Sequence, residues 1–298
     1  MFPHSFRYHR AGSLPEAAAM LAELGAEAKL LAGGQSLVPL MKLRFAQPAH
    51  LVDLNFVPQV AYIRADDDGG VRVGAMARHT DIAESEIAAR IPILHDCAAG
   101  IADVQIRNRG TIGGSVAEAD PSGDWGAVLM TLPAQVRCLG PKGERTVAIE
   151  KFFLDAYTSA LAPDELVSEI IVKAPQKGSG GAYIAFKRSA PVYASASAAV
   201  QLTLEGDTCR DARIVLGAVG LTPLRALEAE SELRGKPLAE AAVEKAAEAA
   251  RAAADPQPDM RGSAEYKKVL VAALVKRAME AAAKRARGGR VEVSHIYA

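Results

Sequence analysis

The spacing of apolar positions changes along this chain, and the changes mark its elements. Ser13-Leu14-Pro15-Glu16 has the form of a capping box with proline in the first turn. The apolar positions after it predict a helix over 17–24 that stops near Gly25. Short apolar runs at 29–32 and 51–54 read as strands. The result is an α/β unit over 1–55 in which a strand runs through a glycine-bearing loop into a helix, an order whose free amides suit phosphate. A hairpin follows. Residues 60–65 alternate, Asp66-Asp67-Asp68-Gly69-Gly70 turns, and 71–74 return. Residues 80–88 and 93–102 look helical. A second hairpin pairs 136–139 with 145–149 around Pro141-Lys142-Gly143, and 165–172 read as another strand. Strands and helices mix without strict βαβ alternation, which favours an α+β fold.

Proline, glycine and polar residues at 174–181 predict a boundary. Beyond it, 183–187, 195–204 and 211–219 read as three antiparallel strands. Alanine-rich helices are predicted at 238–253 and 264–285. Leu270, Leu274, Val275 and Ala278 fall at three- and four-residue spacing, which argues for packed helices over low complexity.

Half of the 298 residues are apolar, enough for a full core in one large or two modest domains. The 35 basic and 35 acidic residues balance, so the chain lacks the basic bias of a nucleic-acid binder. The local basic run Lys284-Arg285-Ala286-Arg287 reads as a solvated helix end. No apolar run is long enough to span a bilayer, and Met1-Phe2-Pro3-His4 lacks the start of a secretory signal. Cys97, Cys138 and Cys209 lie far apart, without a CxxC, which predicts reduced thiols in a cytoplasmic protein and no iron–sulfur or zinc site. His4, His9, His50, His79, His95 and His295 show no metal-ligand spacing and read as structural or exposed.

Two glycine pairs, each closed by a serine, carry the candidate chemistry: Ala32-Gly33-Gly34-Gln35-Ser36 and Thr111-Ile112-Gly113-Gly114-Ser115. Adjacent glycines allow positive φ and close approach to the main chain. Successive amides in such a turn converge into an anion nest. Two of them suggest a ligand with two phosphates held from both sides. Ordinary turns are the other reading of the same residues. Neither motif is GxGxxG, and no P-loop pattern is present.

The runs at 31–44 (LAGGQSLVPLMKLR) and 105–125 (QIRNRGTIGGSVAEADPSGDW) resemble the FAD-binding medium subunit of molybdenum hydroxylases. The family includes carbon monoxide dehydrogenase, nicotine dehydrogenase and the flavin portion of xanthine dehydrogenase. The likeness extends from Phe6-Arg7-Tyr8-His9-Arg10 to Ser263-Ala264-Glu265-Tyr266-Lys267, nearly the whole chain. It implies a two-part FAD-binding domain of the PCMH type over 1–176, with parts at about 1–55 and 56–176. A three-stranded antiparallel sheet with a C-terminal helix bundle would follow over 177–298.

The resemblance also implies site residues. Gly33, Gly34, Gln35 and Ser36 would lie against the pyrophosphate, chiefly through backbone amides, with Leu31, Ala32 and Leu37 beside them. Thr111, Ile112, Gly113, Gly114 and Ser115 would approach from the second loop, nearer the flavin. Asp124 would orient a cofactor hydroxyl; a turn or helix cap is its alternative. Tyr193 would pack over the isoalloxazine, or else serve as a core tyrosine at the domain seam. Lys187 would lie near the flavin and Leu166 would supply an apolar contact. Arg107 and Arg109 suit phosphate by charge and suit loop or subunit contacts equally. Gln35 and Ser115 stand where the family often has histidine and asparagine.

The function implied is an electron-transfer subunit. A partner large subunit with the molybdenum cofactor would oxidise substrate. A small subunit with two [2Fe-2S] clusters would deliver electrons to FAD here, and the FAD would hand them to quinone, NAD or oxygen. No general acid or base is expected on this chain. A self-contained flavin reductase and a non-catalytic FAD-binding module are the alternatives.

Overall fold

The structure, a computed structural model, describes residues 2–293 and 295–297. Its first unit is a three-stranded parallel sheet with His50–Asp53 in the centre, flanked by Arg7–Arg10 and Ala28–Leu31. The Arg7–Arg10 strand was not expected. It is an edge strand with polar, mostly exposed side chains, so it shows no apolar run. The helix Leu14–Leu24 covers the sheet through Ala17, Ala18 and Leu21. Ser13 Oγ accepts from the Glu16 amide at 3.2 Å. Glu16 reaches back to the Gly12 amide at 2.7 Å, one residue earlier than a capping box requires. The helix ends at Gly25, whose φ of 60° only glycine adopts cheaply.

The second unit is a five-stranded antiparallel sheet in the order Ile63–Ala65, Val71–Gly74, Leu166–Val172, Ala134–Gly140, Gly143–Ala148. All seven residues of the central Leu166–Val172 strand are buried, Ser168 and Glu169 among them, so the strand shows no alternation of apolar and exposed polar positions. Pro92–Gly100, Ile112–Glu118 and Asp124–Met130 are helices, and the last is buried at every position. The expected helix over 80–88 is split into His79–Glu84 and a short 3-10 turn at Ala88–Arg90.

Three long antiparallel strands form the C-terminal sheet: Ser179–Lys187, Ala196–Glu205 and Thr208–Gly217. Short strands extend it to six: Leu224–Arg225 and Lys236–Pro237 pair with the third strand, and Ile296–Tyr297 pairs with the first. The three-stranded expectation therefore described the core of the sheet and missed edge strands of two residues each, too short for any periodicity. Both faces of this sheet are covered. Tyr183, Ala185, Ala199 and Val215 pack into the core of the second unit. Ala182, Ile184, Ala198, Val200 and Leu202 pack against Glu240–Ala253 and Ala264–Ala286.

Two readings of the sequence need correction here. Ser179, Gly180 and Gly181 belong to a strand, not to a linker. A Cβ at Gly180 would lie 2.3 Å from the Ala282 carbonyl oxygen and the Ala286 amide nitrogen, so glycine is needed for the long helix to lie on the sheet. Arg285 is not a solvated helix end. Its guanidinium meets the buried Asp96 carboxylate at 2.5 and 2.8 Å and is itself only 8% exposed. Asp96 also accepts from the Tyr183 amide at 3.2 Å. This pair ties the last helix to the helix Pro92–Gly100 across the sheet. All three cysteines are buried free thiols. Among the described residues, no helix is long and apolar enough to cross a membrane.

Removing one partner of a buried ion pair leaves the other uncompensated. Asp96→Ala should therefore cost about 3 kcal/mol of stability, read as a lower midpoint in urea unfolding. A loss under about 1 kcal/mol, typical of an exposed pair, would show that solvent reaches this pair.

Candidate functional site

The first glycine motif joins the strand Ala28–Leu31 to the helix Leu37–Lys42. Gly34 sits at φ 72°, so the turn reverses in the left-handed region. Asn55 fixes the shape of the loop: its Nδ2 donates to the Ala32 carbonyl at 2.9 Å and its Oδ1 accepts from Arg78 at 2.6 Å. Among the described residues, none of the five backbone amides at 33–37 makes a hydrogen bond. The Gln35 side chain donates to the Gly33 carbonyl at 3.3 Å and leaves those amides alone. Unpaired amides in series are an anion nest.

The second motif is built differently. It is the first turn of the helix Ile112–Glu118, capped by Thr111, whose hydroxyl accepts from the Gly114 amide at 3.1 Å. The Ile112, Gly113 and Ser115 amides donate to Ala77, Ala75 and Thr111 carbonyls at 3.1, 2.9 and 3.0 Å. All of these amides are thus paired within the protein, and the expected second nest is absent. Neither Gly113 nor Gly114 has positive φ. A Cβ at Gly113 would lie 2.5 Å from the Ala75 Cβ, so this glycine lets the helix pack on the neighbouring strand. Gly33 has a similar role between the loops: a Cβ there would lie 2.4 Å from the Arg109 carbonyl oxygen.

Beside the loops lies a cavity of about 290 Å³. Of the expected site residues, Ala32, Gly33, Gly34, Gln35, Ser36, Leu37, Thr111, Gly114, Ser115, Asp124, Lys187 and Tyr193 line it. Gly113 and Leu166 line a second cavity of about 320 Å³. Leu30, Ala32, Gly114 and Glu118 border both, so the two adjoin. Leu31 and Ile112 line neither: Leu31 ends its strand against Gly34, and Ile112 is in the core.

The charged residues are more committed than their types suggest. Asp124 stands at the first position of its helix, with Gly123 as the cap, so it is not itself the cap. Its carboxylate accepts from the Tyr183 hydroxyl at 2.5 Å and faces the Lys187 ammonium at 3.4 Å. Lys187 is 1% exposed and also donates to the Gly100 carbonyl at 2.7 Å. Arg107 donates to the Ile101 and Ala102 carbonyls at 2.9 Å each, which holds a cavity wall and takes its charge away from any phosphate. Arg109 meets the first loop through its carbonyl oxygen. Tyr193 is 44% exposed at the rim, with the Arg261 guanidinium 5.9 Å from its ring centre. Burial and the nearby Asp120 push the Glu118 carboxyl up from its usual range.

Two wall residues, Glu118 and His79, and the loop brace Asn55 had no signal in the sequence. His79 is 4% exposed and accepts from the Trp125 indole at 3.2 Å.

Two family models match the chain. The FAD binding domain in molybdopterin dehydrogenase matches residues 4–175, and the CO dehydrogenase flavoprotein C-terminal domain matches 181–282. The chain belongs to the FAD-binding medium-subunit family of the molybdopterin dehydrogenases. This medium subunit is 44% identical to the carbon monoxide dehydrogenase medium chain of Hydrogenophaga pseudoflava, over 95% of this chain and 98% of the relative. It is 40% identical to the 6-hydroxypseudooxynicotine dehydrogenase complex subunit alpha of Paenarthrobacter nicotinovorans, over 99% and 100%. Its fold is similar to that of a chain in carbon monoxide dehydrogenase from Hydrogenophaga pseudoflava lacking the Mo-pyranopterin moiety, with TM-score 0.93, 45% identity, and 96% and 99% of the two chains covered. The medium subunit is thus an oxidoreductase flavoprotein subunit. The unpaired amides at 33–37 fit the pyrophosphate of FAD, and two adjoining cavities fit a cofactor with two ring systems.

The two glycine pairs should respond differently to a single methyl. Gly34→Ala forces alanine into the left-handed region at about 1–2 kcal/mol. The unliganded loop can relax out of that turn, so the unfolding midpoint should stay near wild type, while FAD, which needs the turn, should weaken about tenfold in fluorescence titration. Gly113→Ala drives a Cβ into Ala75 and should instead lower stability by about 1–3 kcal/mol. The reverse pattern would place the nest on the second motif.

Proposed function

We propose that this subunit holds FAD along the two adjoining cavities. The pyrophosphate lies on the amides of residues 33–37. The flavin half lies in the cavity of about 290 Å³, between Lys187, Tyr193 and the wall at Thr111, Gly114 and Ser115. The adenosine half lies in the adjoining cavity, lined by Leu166 and Gly113. The observation that carries the reading is the row of five unpaired amides at the edge of a cavity. Unpaired main-chain donors at such a place call for an anionic acceptor. The cavity lined by Lys187 has few cationic groups, and Lys187 is held by Asp124 and Gly100. The phosphates are therefore held by neutral dipoles.

Bound FAD supplies the redox chemistry. The residues of this chain position it and control access to it. Tyr193, partly exposed at the rim, shields one side of the flavin from solvent. Its neighbour Arg261 is anchored by Ser122 at 3.1 Å and by Asp259 at 3.0 Å, which restrains the rim. Asp124 holds Lys187 and Tyr183 in place and so shapes the cavity floor without taking part in proton transfer.

Electrons reach the FAD from two [2Fe-2S] clusters on a partner small subunit and leave to an external acceptor. Substrate is oxidised on a large subunit that holds the molybdenum cofactor. Relatives 44% and 40% identical to this chain are named for carbon monoxide and for 6-hydroxypseudooxynicotine. Such different substrates on similar medium subunits support a substrate site on another chain.

The chain reconstituted with cofactor should show a flavin spectrum and release FAD, not FMN, on acid treatment. Binding of FMN alone would count decisively against the pyrophosphate nest. Purification from the native host should bring down molybdenum and iron–sulfur subunits with it, and their absence would favour a self-contained flavoprotein.

Tyr193→Ala should change the rate of flavin reoxidation more than it changes affinity, which should weaken by about 1–2 kcal/mol at most. Stopped-flow oxidation of the reduced assembly by several acceptors reads this. Unaltered rates for every acceptor would make Tyr193 a packing residue only.

A further inference from the structure

His79 is buried at 4% exposure, lines the same cavity as Lys187 and Tyr193, and its ring has one hydrogen-bond partner among the described residues. That partner decides its chemistry. The Trp125 indole nitrogen only donates, and it lies 3.2 Å from His79 Nδ1. Nδ1 must therefore be the acceptor. A neutral imidazole with Nδ1 as acceptor carries its proton on Nε2. Protonating Nδ1 would set two N–H groups against each other, so the indole also opposes the imidazolium. Burial acts in the same direction, pulling the imidazole down to about 4, against the push of the Asp124 charge.

Nε2 is left with a proton and no acceptor among the described residues. Its edge of the ring is uncovered because of Gly110. A Cβ there would lie 2.8 Å from His79 Cδ2 and Nε2, and Gly110 lines the same cavity. The backbone sets the ring in place: the His79 amide donates to the Gly110 carbonyl at 3.2 Å, and Arg78 bridges to Thr111. Ile101, Ala102 and Ile106 line the cavity as well and suit an uncharged ring system over an ion.

We propose that His79 binds FAD directly, presenting Nε2–H as a hydrogen-bond donor to an oxygen or ring nitrogen of the flavin half, with Trp125 as the positioning residue that imposes the tautomer. This rests on the flavin half occupying the cavity that His79 lines. A donor that is neutral at every physiological pH adds direction without charge, which suits an uncharged acceptor and leaves the phosphates to the loop amides.

The test uses the full chain labelled with 15N-histidine. Two-bond 1H–15N spectra should show His79 with Nδ1 unprotonated and Nε2 protonated. Adding FAD should shift the Nε2–H resonance and slow its exchange with water at least tenfold. His79→Phe should weaken FAD about three- to tenfold, the range of one neutral hydrogen bond. His79→Gln keeps a donor and should recover most of that loss. In Trp125→Phe the two His79 tautomers should mix, with an intermediate affinity. A proton on Nδ1 in the wild-type chain would overturn the proposal, as would an Nε2–H that FAD does not perturb. Wild-type affinity in a folded His79→Phe would do the same. If His79→Phe fails to fold, the wild-type spectra still decide. Should Gly34→Ala lose FAD while His79 ignores it, the nest stands and this inference fails. Should neither variant affect FAD, the cavity assignment fails with it.

Discussion

The Asp124 carboxylate is a buried negative charge at the first turn of a buried helix, and three groups offset it. The helix N-terminus favours it through unpaired amides. Tyr183 donates a hydroxyl and Lys187 supplies an ammonium, both from the first long strand of the C-terminal sheet. Lys187 cannot leave, because it is 1% exposed and has only Gly100 as its other partner among the described residues. An unpaired ammonium there would cost several kcal/mol. Much of the geometry follows from this. The C-terminal sheet is held against the second unit at the cavity floor, and Trp125, next in sequence to Asp124, is aimed at His79. Asp96 and Arg285 repeat the device on the far side of the same strand, where Asp96 also accepts from the Tyr183 amide.

The two glycine pairs look alike in sequence and are physically unlike. In the first, glycine is required by positive φ at Gly34 and by the approach of the Arg109 carbonyl to Gly33, and the amides stay open. In the second, glycines lie within a helical turn so that the helix can sit on Ala75, and the amides are already paired. One side of the cleft therefore offers donors, and the other offers a close-packed wall with Thr111 and Ser115 side chains. The open backbone donors are those of the first motif.

The main elements were legible where burial is periodic, as in the helices at 240–253 and 264–286, or where turn residues close a hairpin. Failures came where local rules conflict with tertiary packing. Arg7–Arg10 is a strand without an apolar face, Gly180 is a strand residue chosen for helix approach, and Arg285 is a buried clamp inside a basic run. Most of the site was reached through family resemblance, which named Lys187 and Tyr193, 63 and more residues beyond Asp124 in the chain. Residue type and spacing alone would not have joined them. Asn55 and His79 escaped because a lone polar residue carries no pattern; only its partners, Ala32 and Arg78 for one and Trp125 for the other, reveal its task.

The cavity wall comes from all parts of the chain. The first unit supplies the loop at 32–37, the second supplies His79, Thr111 and Asp124, and the C-terminal sheet and its following loop supply Lys187 and Tyr193. No part holds the site by itself. A ligand bound there touches every seam at once, and it stabilises the folded arrangement by mass action, by an amount that grows with the logarithm of its concentration over Kd. The buried ion pairs at Asp124 and Asp96 set the spacing of those parts before the ligand arrives. Loss of either pair should therefore be felt in cofactor affinity as well as in stability, because the same contacts that close the fold also shape the cleft.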